Sequence, residues 1–167
     1  MWGPENEMRV PKYAKAERER RWLVDPVKCP DLSELLPVLI EDRYIANTRL
    51  RLRRMTDTLD GSQSLKLTKK YHSFDPRDRW IVTAYLTQAE YEVFAMLPAA
   101  IVEKERYRLV ENGNRYSLDV FQRENAGLHL AEIECATVAE LQALDPPTWA
   151  VLEVTEDGSY QGGALAR

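Results

Sequence analysis

The stretch "NTRLRLRRM" at residues 47–55 alternates basic and apolar side chains, with Arg49, Arg51 and Arg53 on one side and Leu50 and Leu52 on the other. A period of two belongs to a strand, in which side chains two apart share a face about 6.6 Å from each other. Three guanidiniums in one row repel, so counter-charge or an anion has to face this strand. The whole chain has a net charge of −4. The basic row is therefore a local arrangement, not the by-product of a basic protein.

The alternation recurs along the chain. "ERERRWLV" (17–24) gathers Glu17, Glu19 and Arg21 on one face, and "SLKLTKKY" (64–71) sets Lys66, Thr68 and Lys70 against Leu65 and Leu67. "AIVEKERYRLV" (100–110) aligns Lys104, Arg106 and Arg108. Asp119 stands opposite Leu118 and Val120, and Glu132 and Glu134 stand opposite Ala131, Ile133 and Cys135. One such strand reads as a solvated sheet face, since surface ion pairs contribute only ~0–1 kcal/mol each. Repetition over six strands sets a second reading beside the solvated face: a closed barrel with the charged faces inside and the apolar faces packed outward under helices. Such an interior is wet or occupied, because an unpaired buried charge is costly. A polyanion bridged by divalent metal satisfies both signs: Arg and Lys hold phosphate oxygens, and carboxylates hold Mg2+ or Mn2+.

The rest of the chain fills in the frame. Residues 1–14 read as an N-terminal lead-in and 15–167 as one domain. "DLSELLPVLIEDRYI" (31–45) predicts a helix capped by Asp31 and limited by Pro37. Asp60-Gly61 and Asn112-Gly113 mark turns, the second a strong hairpin signal. "WIVTAYLT" (80–87) predicts a strand, "QAEYEVFAMLP" (88–98) a helix, "TVAELQAL" a short helix, and "AVLEVTED" (150–157) a final strand, before an irregular tail. About eight strands and two or three helices without a βαβ rhythm give an α+β, mostly antiparallel, closed or strongly curled sheet. At 167 residues, 44% hydrophobic and 30% charged, the chain reads as soluble, and its acidic balance argues against a nucleic-acid polymer as partner. No apolar run approaches the roughly 18 residues of a membrane span. Cys29 and Cys135 fit no metal-binding spacing, and two cysteines make no disulfide framework, which favours buried thiols and the cytoplasm; a homodimer is compatible with the chain.

These blocks, in this order, resemble the CYTH superfamily, the triphosphate tunnel metalloenzymes. "ERERRWLV" is similar to the family's ExExK opening strand, "YIANTRLRLRRM" to its RxR strand and "LKLTKKY" to LTxK. "VEKERYRL" resembles IEKxRY, "LDVF" resembles VDVF, "LAEIEC" resembles LAEIE, and "LEVTED" resembles EVT. The resemblance implies an eight-stranded antiparallel β-barrel with flanking helices, forming a tunnel that binds triphosphate. It assigns Glu17, Glu19 and Arg21 to the catalytic strand. It gives Arg51 with Arg49 or Arg53, Lys70, Lys104 and Arg106 to the triphosphate, with the RxR register open among the three arginines; Lys66 and Arg108 join them as candidates because they share the faces of these strands. It gives Glu17, Glu19, Asp119, Glu132 and Glu134 to Mg2+ or Mn2+. His72 and His129 receive no role.

Two departures stand out. Where many members carry ExExE, this chain has Ile81, Thr83 and Tyr85, and Arg21 replaces the usual lysine. A guanidinium binds phosphate but is a poor proton-transfer group. Nine basic residues against five acidic ones on the faces named above suit a small-molecule triphosphate or polyphosphate without a base-reading pocket. The expected activity is metal-dependent hydrolysis of tripolyphosphate or an organic triphosphate. The alternatives are a class IV-type adenylate cyclase and a non-catalytic polyphosphate- or nucleotide-binding protein.

Overall fold

The computed structural model describes residues 10–167. Residues 1–9 of the predicted lead-in lie outside the described residues, and 10–14 contain a turn just before the first strand. The elements are β1 (Lys15–Val24), β2 (Val38–Ile45), β3 (Leu50–Asp57), β4 (Gln63–Lys70), β5 (Asp78–Tyr85), α1 (Gln88–Ala95), β6 (Ala99–Glu111), β7 (Asn114–Phe121), β8 (His129–Glu134), α2 (Val138–Ala143), β9 (Ala150–Glu153) and α3 (Gly162–Leu165).

The strands pair in the order β5-β4-β3-β2-β6-β7-β8-β1, and a β1–β5 pairing closes the barrel. Every pairing is antiparallel. β5 faces only Lys15–Arg18 of β1; farther along, β9 takes over that edge beside Trp22–Val24. β9 therefore lies outside the eight-strand closure. The hairpins form where the turn residues demand. Asn112 and Gly113 both adopt positive φ (50° and 78°), as a two-residue connection between twisted strands requires. Both of the longer helices start with a capping box, Thr87 with Glu90 and Thr137 with Glu140.

The apolar core lies outside the barrel wall. Leu52 of β3 and Leu65 of β4 pack under Tyr91 of α1. On the far side Trp22, Tyr116, Leu118, Ala131 and Ile133 of the wall pack against Leu141 of α2 and against Trp149. The third cluster differs, because it closes one end of the tunnel. There Val102, Phe121 and Leu130 meet Leu165 and Ala166, with Leu23 and Tyr44 against them. The tail is thus ordered, through α3, where the sequence predicts an irregular segment. No helix among the described residues is long and apolar enough to cross a membrane.

One element is corrected. Residues 38–45 form a strand, not the C-terminal half of a helix spanning 31–45. Asp31 makes only a local turn, accepting from the Ser33 N–H at 2.9 Å. The dense apolar positions of 32–40 satisfy a helical pattern, but β2 is laddered on both edges, to β3 and to β6. Two full sets of backbone hydrogen bonds and barrel closure outweigh local propensity, which spans less than about 1 kcal/mol per residue.

Candidate active site

Strand parity decides what faces inward. β1 contributes Glu17, Glu19 and Arg21; β3 contributes Arg51 and Arg53; β4 contributes Lys70; β6 contributes Lys104 and Arg106; β8 contributes Glu132. All of these line an inner cavity of about 240 Å³ that also touches Tyr44, Ser117 and Arg115. A wider mouth of about 440 Å³ adjoins it, shares Glu19, Arg21, Tyr44, Arg51 and Lys70 with it, and adds Arg49, Tyr71, His72, Arg79 and Gln161.

The interior is a chain of alternating charges. Arg21 donates from Nε to Glu132 Oε1 at 2.9 Å and from Nη2 to Glu19 Oε1 at 3.0 Å. Arg106 bridges Glu132 Oε2 (2.7 Å) and both oxygens of Asp119 (2.6 and 2.7 Å). Lys104 also donates to Asp119, and Lys70 donates to Glu17. On the opposite wall Arg53 grips both oxygens of Asp42 at 2.6 Å each. Arg51 Nε lies 3.7 Å from the same carboxylate. It is buried and has no hydrogen-bond partner among the described residues.

The protonation states follow from this arrangement. Burial pushes Glu132 toward the neutral form, but Arg21, Arg106 and Lys104 outweigh it and hold the carboxyl well below its usual range. Glu17 is likewise lowered, against burial, by Lys70 and then Arg51. Glu19 moves the other way: burial, then the charge of Glu132, raise it despite Arg21. Glu17, Asp42, Asp119 and Glu132 are all lowered, so Glu19 differs from these inward neighbours in leaning toward its neutral form. Burial, then Asp42, push the Tyr44 phenol up to about 12, so it stays a neutral donor at the tunnel end.

The expected residues divide into those that converge and those that stand apart. Glu17, Glu19, Arg21, Arg51, Arg53, Lys70, Lys104, Arg106 and Glu132 come together in the inner cavity. Arg49 precedes β3 and sits at the mouth, so of the three arginines Arg51 and Arg53 reach the inner cavity. Lys66 lies over the Tyr85 ring near the opposite end, 5.0 Å from its centroid, and Arg108 is exposed. Glu134 borders the inner cavity yet pairs with the exposed Lys15 at 2.9 Å. Asp119 is fully buried, with its oxygens occupied by Lys104 and Arg106. Ile81 and Thr83 face Lys70 and Thr68 across the β4–β5 ladder, and the Thr83 hydroxyl is hydrogen-bonded to Thr68 at 2.9 Å.

Sequence reasoning missed Asp42, which lay in the segment expected to be helical. It also missed Arg79, which continues the Ile81-Thr83-Tyr85 face and contacts Gln161 at 3.3 Å. Parity alone would have found Arg79. His72, expected from the sequence to have no role, lines the mouth.

Comparison with known proteins agrees with this fold. No family model matches the chain. An inorganic triphosphatase of Nitrosomonas europaea is 39% identical over 92 residues, covering 48% of this chain; the chain thus spans about 61% of the length of that relative. The crystal structure of an inorganic triphosphatase superposes with a TM-score of 0.60 at 30% identity, covering 90% of this chain and 97% of that one. A putative adenylate cyclase from Bacillus halodurans shares the fold, with a TM-score of 0.58 at 11% identity over 78% of this chain and 86% of that one. The closed eight-strand barrel, its inward ionic faces and the near-complete match to a triphosphatase structure converge on one assignment: the chain belongs to the CYTH superfamily, the triphosphate tunnel metalloenzymes.

Proposed function

We propose that the protein hydrolyses tripolyphosphate or an organic triphosphate with the aid of a divalent metal. The carrying observation is the inner cavity itself, where Arg21, Arg51, Arg53, Lys70, Lys104 and Arg106 converge and which Arg51 and Lys70 also connect to the mouth. Cations gathered around one cavity suit a polyanion, whose phosphate oxygens accept charge-assisted hydrogen bonds from them. Lys70, Arg21 and Arg106 stand around the same space, each already holding a carboxylate that an incoming anion can replace in part. Their task is to fix the triphosphate and offset charge on its oxygens as the P–O bond breaks.

The donor set fits a metal shared with the substrate better than a prebuilt metal cage. Among the described residues no three acidic or thiol/imidazole groups converge in a metal-holding arrangement. Mg2+ is commonly bound by one or two carboxylates plus substrate phosphates. Glu19 would be the first protein ligand to Mg2+ or Mn2+, with Glu17 or Glu132 as a second and substrate phosphate oxygens making up the remainder. Glu134 stands as a more distant candidate, and the saturated Asp119 would act by fixing Lys104 and Arg106. When bound, the metal would neutralise phosphate charge and polarise an attacking water. Arg21 would position rather than shuttle protons, because a guanidinium does not deprotonate.

Phosphate release from a panel of triphosphates with Mg2+ or Mn2+ tests the proposal. Release above the metal-free control is expected for at least one member. No release from any member, by folded protein that binds metal, would refute it. Cyclic AMP with pyrophosphate from ATP would instead establish the cyclase reading, and stabilisation by ligand without turnover would establish a binding protein. The free thiols Cys29 and Cys135 suit a reducing compartment, for which we propose the cytoplasm.

A further inference from the structure

Resting on the triphosphate reading of this tunnel, we infer that Arg79 is a further substrate-binding residue: its guanidinium is the fixed counter-charge for the outermost phosphate, on a wall that cannot hold a second divalent ion. A single ion then accompanies each anion. Two features of β5 carry the inference, and the first is what its inward face offers. That face reads Arg79, Ile81, Thr83 and Tyr85. Ile81 stands opposite Lys70 and supplies no oxygen. Thr83 shares a hydrogen bond with Thr68 at 2.9 Å, and Tyr85 lies under Lys66, whose Nζ is 5.0 Å from the ring centroid. Mg2+ and Mn2+ seek oxygen ligands, carboxylates above all, and an ion at this wall would meet the charges of Lys70 and Arg79 instead. The carboxylates lining the inner cavity, Glu17, Glu19, Glu132 and Glu134, all belong to β1 and β8.

The second feature is the situation of Arg79 itself. It stands across the β1–β5 ladder from Glu17, yet Glu17 gives its carboxylate to Lys70. Arg79 donates from Nη1 to the neutral side-chain oxygen of Gln161 at 3.3 Å, a longer contact than such bonds usually show. It makes no ion pair among the described residues, whereas Arg21, Arg53, Lys70, Lys104 and Arg106 each hold a carboxylate. Relative to the lining that it shares with the inner cavity, the mouth adds Arg49 and Arg79 and no acidic group. An anion running outward from the inner cavity therefore leaves most of the carboxylates behind and ends beside guanidiniums. A guanidinium stays charged and can hold two phosphate oxygens at once, so it meets the outer phosphate without a bound metal.

Electron paramagnetic resonance of Mn2+ counts bound ions without turnover, with the imido analogue of tripolyphosphate as the anion. Wild type should hold one Mn2+ per chain in its presence. Arg79→Glu sets a second carboxylate opposite Glu17 and should hold two. Any count other than one in the wild type, or no gain in folded Arg79→Glu, would overturn the inference, while binding of the anion itself would leave the triphosphate reading standing. If the anion does not bind wild type with or without Mn2+, both fall.

A milder variant keeps the question open to decision should Arg79→Glu fail to fold. By metal-free calorimetric titration, Arg79→Gln should bind the same analogue about tenfold more weakly, the scale of one lost charge-assisted hydrogen bond. Wild-type affinity in Arg79→Gln would overturn the inference, because the guanidinium would then not touch the anion.

Discussion

Glu132 illustrates how a single side chain in this protein serves both architecture and chemistry. Its two oxygens accept from Arg21 and Arg106, cations on different strands, and its side chain borders the inner cavity. Viewed from the sequence, it is a carboxylate in a solvated channel, whose neutral replacement would spare the fold. The structure gives it a side chain only 15% exposed and two guanidinium partners. Glu132→Gln therefore leaves two buried cations short of one counter-charge. The expected loss is about 2 kcal/mol of stability, in the range for disturbing a hydrogen bond to a buried charge. Activity should be lost as well. A thermal melt beside a phosphate-release assay checks both, and an unchanged melting temperature would show that Glu132 is not part of the wall's charge network.

At the scale of elements, the strands with alternating ionic faces were legible because each carried its own periodicity, and the inner-face residues Glu17, Glu19, Arg21, Lys70, Lys104, Arg106 and Glu132 were legible with them. β2 was not. Its inward residues are Ile40, Asp42 and Tyr44, a mixed set with no charge alternation, and Leu39 on the outer face is partly exposed. Pro37 marked a break, but the apolar crowding on both sides of it concealed which element followed. Asp42 was lost with the strand that carries it. The mouth residues Tyr71, His72 and Gln161 were illegible for another reason: connecting segments place them, and loop geometry leaves no periodic trace. α1 was legible from its caps, and its purpose becomes clear only in place. Tyr91 is 1% exposed, covers Leu52 and Leu65, donates to Glu41 at 3.1 Å and lies under the Arg54 guanidinium. Tyr91→Ala should cost about 3–5 kcal/mol, as for other buried aromatics cut to alanine. Chemical denaturation measures it; a loss below about 1 kcal/mol would mean that α1 is dispensable to the barrel.

For the whole molecule, the inversion of the usual layering matters most: grease lies between wall and helices, and ions lie in the middle. The apolar plug of Val102, Phe121, Leu130 and Leu165 occupies only one end of the tunnel. Unfolding such a molecule wets an unusually large share of charged and hydrogen-bonded surface. Exposing polar surface lowers the heat capacity of unfolding, and exposing apolar surface raises it. Calorimetry should therefore return less than the common value of about 12–15 cal/mol/K per residue, and a value at or above that range would contradict the ionic interior. A small heat-capacity change bends the stability curve gently, so this barrel should lose little of its stability margin across tens of degrees.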